Sequence, residues 1–287
     1  MKFKGIVLAG GLGTRLSPMT KSVNKHLLPI FDKPLIFYPL SILMLSDIKD
    51  ILMIVNKDDI NIYKSLLGNG SRFGINIDYK IQEKPLGIPE AFSIGAEFIK
   101  NSNVALILGD NFFYGQGLTK LLLNSKKKFK GAKIFCYKVK NPSDFGVAEI
   151  YKKKIKSLIE KPKKIKSDLA ISGLYFFDQN VTKHSKNLKK SKRNETEIID
   201  LLKIYLNKNK LEYHIIGRGA AWLDTGTPEG FFEAGSFVYN LEKRQGFKIA
   251  CLEEISLSKN WITKKQLNES IKFYGNSSYS KYLQSLI

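Results

Sequence analysis

The first 108 residues switch repeatedly between two kinds of segment, and few folds accept that switching. Short apolar runs rich in β-branched residues, at Lys4–Ala9, Asp50–Val55, Asn76–Gln82 and Val104–Leu108, read as strands. Between them, Pro34–Ser46, Lys57–Leu67 and Pro89–Lys100 carry amphipathic patterns of helix length. Strands separated by helices of this length imply βαβ units, hence a parallel sheet covered on both faces. Right-handed crossovers then set the carboxyl ends of these strands on one rim, where open α/β sheets bind their ligands. The chain therefore reads as α/β, with a doubly wound, mostly parallel sheet.

The second half is less regular. Ala132–Val139, Gly146–Ile150, Ile155–Glu160 and Ala170–Phe177 read as strands, some antiparallel because of their tight spacing. Thr196–Leu206 and Glu229–Arg244 read as helices, and from Leu252 onward short amphipathic turns alternate with Asn and Ser. That tail is expected to form a small helical C-terminal appendage. No period of 20–50 residues repeats, and no Pro/Ser/Gly linker divides the chain.

A net charge of +21 suggests nucleic acid until its distribution is examined. Residues 126–193 hold 21 basic and 5 acidic side chains, leaving a surplus of only +5 for the other 219 residues. Of the 47 basic residues 42 are Lys, whereas base and phosphate readout leans on the bidentate Arg fork. Runs such as Lys126-Lys127-Lys128 and Lys152-Lys153-Lys154 also lack interleaved aromatics for base stacking. They read as solvated faces whose field attracts small anions, and no nucleic-acid partner is expected. No stretch approaches 18 apolar residues, so no membrane partner is expected either. Met1-Lys2-Phe3-Lys4-Gly5 runs into a strand without a signal-peptide pattern, and the only two cysteines, Cys136 and Cys251, suit buried reduced thiols. A cytoplasmic protein is the expectation.

The strongest chemical signal comes directly after the first strand. Gly10-Gly11-Leu12-Gly13-Thr14-Arg15 offers three glycines whose backbone N–H groups can curl into an anion nest, with a helix or turn beyond it. The Rossmann spacing G-x-G-x-x-G is not met, and no Walker Lys-Ser or Lys-Thr follows the last glycine, so Arg15 supplies the cation of a different phosphate loop. Lys25, ahead of Leu27-Leu28-Pro29, is a candidate second phosphate cation. Two apolar runs each deliver one Asp into a turn: Asp110 after Gly109 and before Asn111, and Asp224 before Thr225-Gly226. Two hard carboxylates with nucleotide phosphates and water would complete an octahedral Mg²⁺ shell. For Asp224 a helix N-cap role is the competing reading, since a helix starts near Pro228. Glu160-Lys161-Pro162 closes a strand with a pair suited to a sugar hydroxyl and a phosphate.

Taken in order, GGLGTR at 10–15, NKHLLPIFDKP at 24–34, GDN at 109–111, IEKP at 159–162, ISGLYFFD at 171–178 and GRGAAWLDTGT at 217–227 resemble the sugar nucleotidyltransferases, and among them the glucose-1-phosphate thymidylyltransferases. The resemblance spans nearly the whole chain. It implies a Mg²⁺-assisted, in-line attack of glucose 1-phosphate on the α-phosphate of dTTP, giving dTDP-glucose and pyrophosphate. It places Leu8, Gly10, Gly11, Gly13, Thr14, Arg15, Lys25, Gln82, Pro85, Gly87 and Gly109 around the nucleotide, with Gln82 reading the base. Asn111, Gly146, Glu160, Lys161 and Ser172 fall in the sugar-phosphate pocket, and Asp110 and Asp224 hold the metal. Arg15, Lys25, Asp110, Lys161 and Asp224 form the catalytic set. The implied organisation is a catalytic domain over 1–250, its nucleotide half about 1–125 and its sugar-phosphate half about 126–250, with the helical extension 251–287 after it, in a homotetramer. Where the thymidylyl branch usually reads Asp-Gly-Leu-Ala-Gln-Ala, this chain has Leu86-Gly87-Ile88-Pro89-Glu90-Ala91. A uridylyltransferase, or an enzyme for another hexose 1-phosphate, would use the same machinery. An inactive sugar-nucleotide sensor would be expected to have lost some of Arg15, Lys25, Asp110 and Asp224.

Overall fold

The computed structural model describes residues 2–191 and 193–287; Met1 and Lys192 of the lysine-rich run lie outside the described residues. The chain runs β1 (Phe3–Ala9), β2 (Pro29–Ile30), β3 (Lys33–Pro34), α1 (Phe37–Leu45), β4 (Asp50–Val55), α2 (Ile60–Leu67), β5 (Asn76–Ile81), α3 (Glu90–Ile94), α4 (Ala96–Ile99), β6 (Asn103–Leu108), β7 (Asn111–Gly115) and α5 (Leu118–Ser125). It continues with β8 (Ala132–Lys138), β9 (Gly146–Tyr151), β10 (Lys154–Glu160), β11 (Leu169–Phe177), α6 (Val181–Lys186), α7 (Ile198–Asn207), β12 (Leu211–Ile215), β13 (Ala220–Asp224) and α8 (Pro228–Gln245). The tail forms α9 (Leu252–Ser258), α10 (Lys264–Tyr274) and α11 (Ser278–Gln284), as its pattern implied.

Among the described residues nine strands form one sheet. In its first half the order is β5-β4-β1-β6, all parallel, which is the doubly wound arrangement. The antiparallel strands come from the second half: β11 joins β6, and β8, β9 and β10 extend it. Strand alternation explains why both faces are covered. In β4, Ile51, Met53 and Val55 pack toward Phe37 and Leu40 of α1, while Leu52 and Ile54 face the side where Phe92 of α3 lies.

Several helix boundaries differ from the sequence expectation, among them the start of α2, at Ile60 rather than Lys57, and two have a visible cause. The helix expected from Pro34 starts at Phe37, because Lys33-Pro34 pairs with Pro29-Ile30 as a two-stranded hairpin. The helix expected over Pro89–Lys100 divides at Gly95, whose backbone presses against Ile6 and Leu52 of the sheet.

Phe176 lies at the centre of the sheet's aromatic packing, fully buried, with ring centroids 5.5 Å from Phe3 and 5.2 Å from Phe135. Phe176→Ala is expected to cost about 3–5 kcal/mol, read as a lowered urea midpoint at unchanged slope. A loss under about 1 kcal/mol would mean that the core collapses around the gap.

Beyond the sheet, α8 packs on the β2–β3 hairpin over Leu16, Ile30, Phe231 and Val238. A buried ion cluster crosses that contact. Lys33, 3% exposed, pairs with Asp32 and with Glu242 of α8 at 3.0 Å; Lys248 pairs with Asp32 and with Glu242 at 3.2 Å. Glu242 also accepts the Ile249 N–H at 2.8 Å. Each charge thus meets two partners, as buried charges require.

Candidate active site

A cleft of about 350 Å³ opens beyond the carboxyl ends of β1 and β6. The strand order reverses there, the position at which open α/β sheets bind ligands. After β1 the chain turns through Gly10–Gly13 with Gly13 in the left-handed region (φ 64°). The loop leads into a single 3₁₀ turn, Thr14–Leu16, too short to contribute a helix dipole of any size. The cationic part of the loop therefore rests on Arg15. Gly11, Arg15 and Leu8 line the cleft, whereas Gly10, Gly13 and Thr14 of the same loop do not. Gly109 also stays beneath the surface, its N–H donating to the Leu8 carbonyl at 2.9 Å and joining the two central strands.

The floor is assembled from parts far apart in sequence. Asp110 comes just after β6, and Asp224 ends β13, which pairs with β7 so that Asp224 lies opposite Asn111. Thr225 then fixes the junction, donating its hydroxyl (2.8 Å) and N–H (3.3 Å) to the Asp110 carbonyl. Lys25, in the 3₁₀ turn Lys25–Leu27, forms an ion pair with Asp110. Asn111 donates to the other Asp110 oxygen at 3.0 Å and accepts from Gly173 N–H (2.9 Å) and Trp222 Nε1 (2.6 Å). The Arg15 guanidinium approaches Gly226 so closely that a Cβ there would stand 2.6 Å from Nη2. The N-cap alternative for Asp224 falls away: Thr227 caps α8, accepting the Gly230 N–H at 3.1 Å.

The two carboxyls differ in how readily they ionise. Burial opposes ionisation of Asp110, but Lys25, His26 and the hydrogen bonds from Lys25 and Asn111 overcome it and hold its pKa well below the usual range. Burial and the Asp110 charge push Asp224 up to about 6, against the pull of Arg15 and Lys25. Two facing carboxylates whose joint ionisation is opposed are chemically suited to a hard cation.

Gln82, Pro85 and Gly87 form one wall; Gly146, Glu160 and Lys161 form the other, with Phe145, Tyr175 and Trp222 between. The Glu160 carboxyl is raised by burial and by Glu197, against Arg193 and Lys161. Ser172 is a correction. Alternation along β11 turns Ile171, Gly173 and Tyr175 to the cleft and Ser172 away from it, where its hydroxyl donates to the Phe135 carbonyl at 2.9 Å.

Sequence reasoning passed over His26, Arg193, Thr196 and Glu197, all of which line the cleft. His26 is buried with Nδ1 2.8 Å from the acceptor oxygen of Asn24; burial and Lys25 push its pKa down to about 3, so the ring is neutral. Arg193 pairs with Glu197 at 2.8 Å and reaches Glu160 at 3.5 Å. As one Arg in a lysine-rich run it gave little signal, although Arg for Lys at that spot was itself a hint.

The chain also resembles known proteins. The sequence profile of the nucleotidyl transferase family matches residues 4–240. A glucose-1-phosphate thymidylyltransferase of Neisseria meningitidis is 49% identical over 285 residues, covering 99% of both chains. One of Mycolicibacterium smegmatis is 47% identical, again over 99% of each. Among solved structures, a Bacillus anthracis chain assigned as a glucose-1-phosphate thymidylyltransferase and crystallised with sucrose superimposes with a TM-score of 0.76 at 38% identity, covering 82% of this chain and 94% of that one. This full-length likeness leads to one conclusion: the chain belongs to the glucose-1-phosphate thymidylyltransferase family of nucleotidyl transferases.

Proposed function

We propose that this protein condenses dTTP with glucose 1-phosphate, releasing pyrophosphate and forming dTDP-glucose, the first step toward deoxysugars of a surface polysaccharide. The observation that carries the reading is the meeting of Arg15, Lys25, Asp110 and Asp224 at one floor, between a wall bearing Gln82 and a wall bearing Glu160 and Lys161. A phosphomonoester has a second pKa of about 6, so the sugar phosphate arrives at pH 7 already able to attack. No general base is required, in keeping with a neutral, buried His26. The work left to the protein is alignment and charge neutralisation.

Arg15 meets the charge that grows on the α-phosphate and the departing pyrophosphate, while Lys25 fixes Asp110 and faces the same oxygens. Lys161 takes the sugar phosphate, Glu160 the sugar hydroxyls, and Gln82 the base edge. Asp110 and Asp224 would hold Mg²⁺, which supplies charge neutralisation on the phosphate oxygens when bound. The family likeness carries the further reading of a cytoplasmic homotetramer. Among the described residues no helix is long and apolar enough to cross a membrane.

Pyrophosphate release with Mg²⁺ and glucose 1-phosphate, run in parallel with dTTP, UTP, dATP and GTP, tests the reading. dTTP is expected to be preferred. Equal or faster turnover of UTP would move the chain to the uridylyl reaction, and silence with all four nucleotides would overturn the assignment.

A further inference from the structure

Gln82, 5% exposed at the end of β5, does not stand alone on the nucleotide wall. Its Nε2 donates to Glu90 Oε2 at 2.9 Å, and the same oxygen accepts the Leu86 N–H at 3.3 Å. Glu90 is the first residue of α3 and sits behind the wall, outside the cleft lining. The loop between them is braced as well. The Leu86 carbonyl accepts from Thr196, from its N–H at 2.8 Å and its hydroxyl at 3.2 Å. At Gly87 (φ 116°) a Cβ would stand 2.0 Å from the Thr196 carbonyl, so the loop lies pressed against its support.

A carboxylate only accepts hydrogen bonds, so the amide nitrogen of Gln82 must be the atom that faces Glu90. The amide oxygen is thereby turned the other way, to the Gly10 side, where a Cβ on that glycine would stand 2.3 Å from it. What Gln82 offers a base is then fixed: an acceptor oxygen, beside the one amide hydrogen left over from Glu90. That order matches an imide edge, with a ring N–H next to a carbonyl. Cytosine set in the same register mismatches, because its bare ring nitrogen would face the amide oxygen and its amino group the amide hydrogen. Reading cytosine in that register would need the amide flipped, which sets its oxygen against the Glu90 carboxylate, acceptor against acceptor.

We propose that Glu90 is a positioning residue that locks the Gln82 amide in the orientation reading an imide edge, and so excludes cytosine nucleotides from the site. This deepens the proposed function and rests on it. It does not separate thymine from uracil, which share that edge. A Gln at this position could donate or accept; the Glu90 carboxylate removes the second choice.

The test is kcat/KM for dTTP and for dCTP, both with glucose 1-phosphate, in the full-length wild type, Glu90→Gln and Glu90→Ala. Glu90→Gln keeps the shape and lets Gln82 flip. It is expected to lower the dTTP:dCTP ratio by about tenfold, mainly through faster dCTP turnover, as loss of one discriminating contact predicts. Glu90→Ala is expected to lower the ratio in the same direction, alongside a general loss from loosening Leu86. A merely structural Glu90 would scale both nucleotides together. A ratio unchanged in both variants, with dTTP still preferred by the wild type, overturns the role of Glu90 and leaves the proposed function standing. A wild type that uses dCTP as readily as dTTP, or neither, defeats the functional reading and this proposal with it.

Discussion

Asp224→Asn is expected to lower kcat for pyrophosphate release by about 10²–10³-fold while raising the melting temperature. Both effects come from one geometry. Asp224 is buried opposite an ionised Asp110, and its pKa rises from 3.8 to about 6. A carboxyl with a raised folded pKa costs stability as pH climbs past its unfolded value and on through its folded one. The stability difference between variant and wild type should therefore widen between pH 4 and 7 and level off above that. Asp110→Asn should cut turnover as deeply with the opposite effect on stability. It leaves Lys25 buried without its partner, a loss of about 3–5 kcal/mol for breaking such a pair. Thermal unfolding and initial rates at several Mg²⁺ concentrations check both variants. Turnover like that of the wild type in either one would remove the metal assignment.

Arg15→Ala should lower kcat by about 10²–10³-fold and raise KM for dTTP far less. The guanidinium sits over Gly226 at the mouth of the cleft, with no close carboxylate hydrogen bond among the described residues to satisfy it. It is free to meet charge that appears only as the α-phosphate is attacked, and interactions made only in the transition state act on kcat. Initial rates across dTTP concentrations separate the two parameters. A rise in KM at constant kcat would recast Arg15 as a residue that binds substrate and transition state equally.

How far the sequence was legible depended on how local each signal was. The strands β1, β4 and β6 were plain because a parallel sheet buried on both faces demands continuous apolar runs. Arg15, Lys25 and Asp110 stood in compact motifs beside those runs. Asp224 could be named, yet its place beside Asp110 depends on β7 pairing with β13, two five-residue strands whose contact joins Asn111 to Trp222 across 111 positions. No local pattern encodes such a pairing. Ser172 failed for the opposite reason: a one-residue step along β11 reverses the face, and the motif alone did not reveal which face looked inward. Glu90 and Thr196 acquire meaning only through Gln82 and Leu86, which they meet from other segments.

The ion cluster of Asp32, Lys33, Glu242 and Lys248 bears on how such a chain could be recombined. Two anions and two cations neutralise each other there only as a set of four. Two of them belong to the hairpin directly after the turn holding Lys25, and one lies beyond α8 at the head of the tail. A chimera that joins this front to a foreign ending between Glu242 and Lys248 would leave an unbalanced negative charge in a largely buried contact, close in the chain to the turn that holds Lys25. Hairpin, long helix and the start of the tail are thus inherited as one piece, although some two hundred residues separate their ends (|i−j| 216 between Asp32 and Lys248).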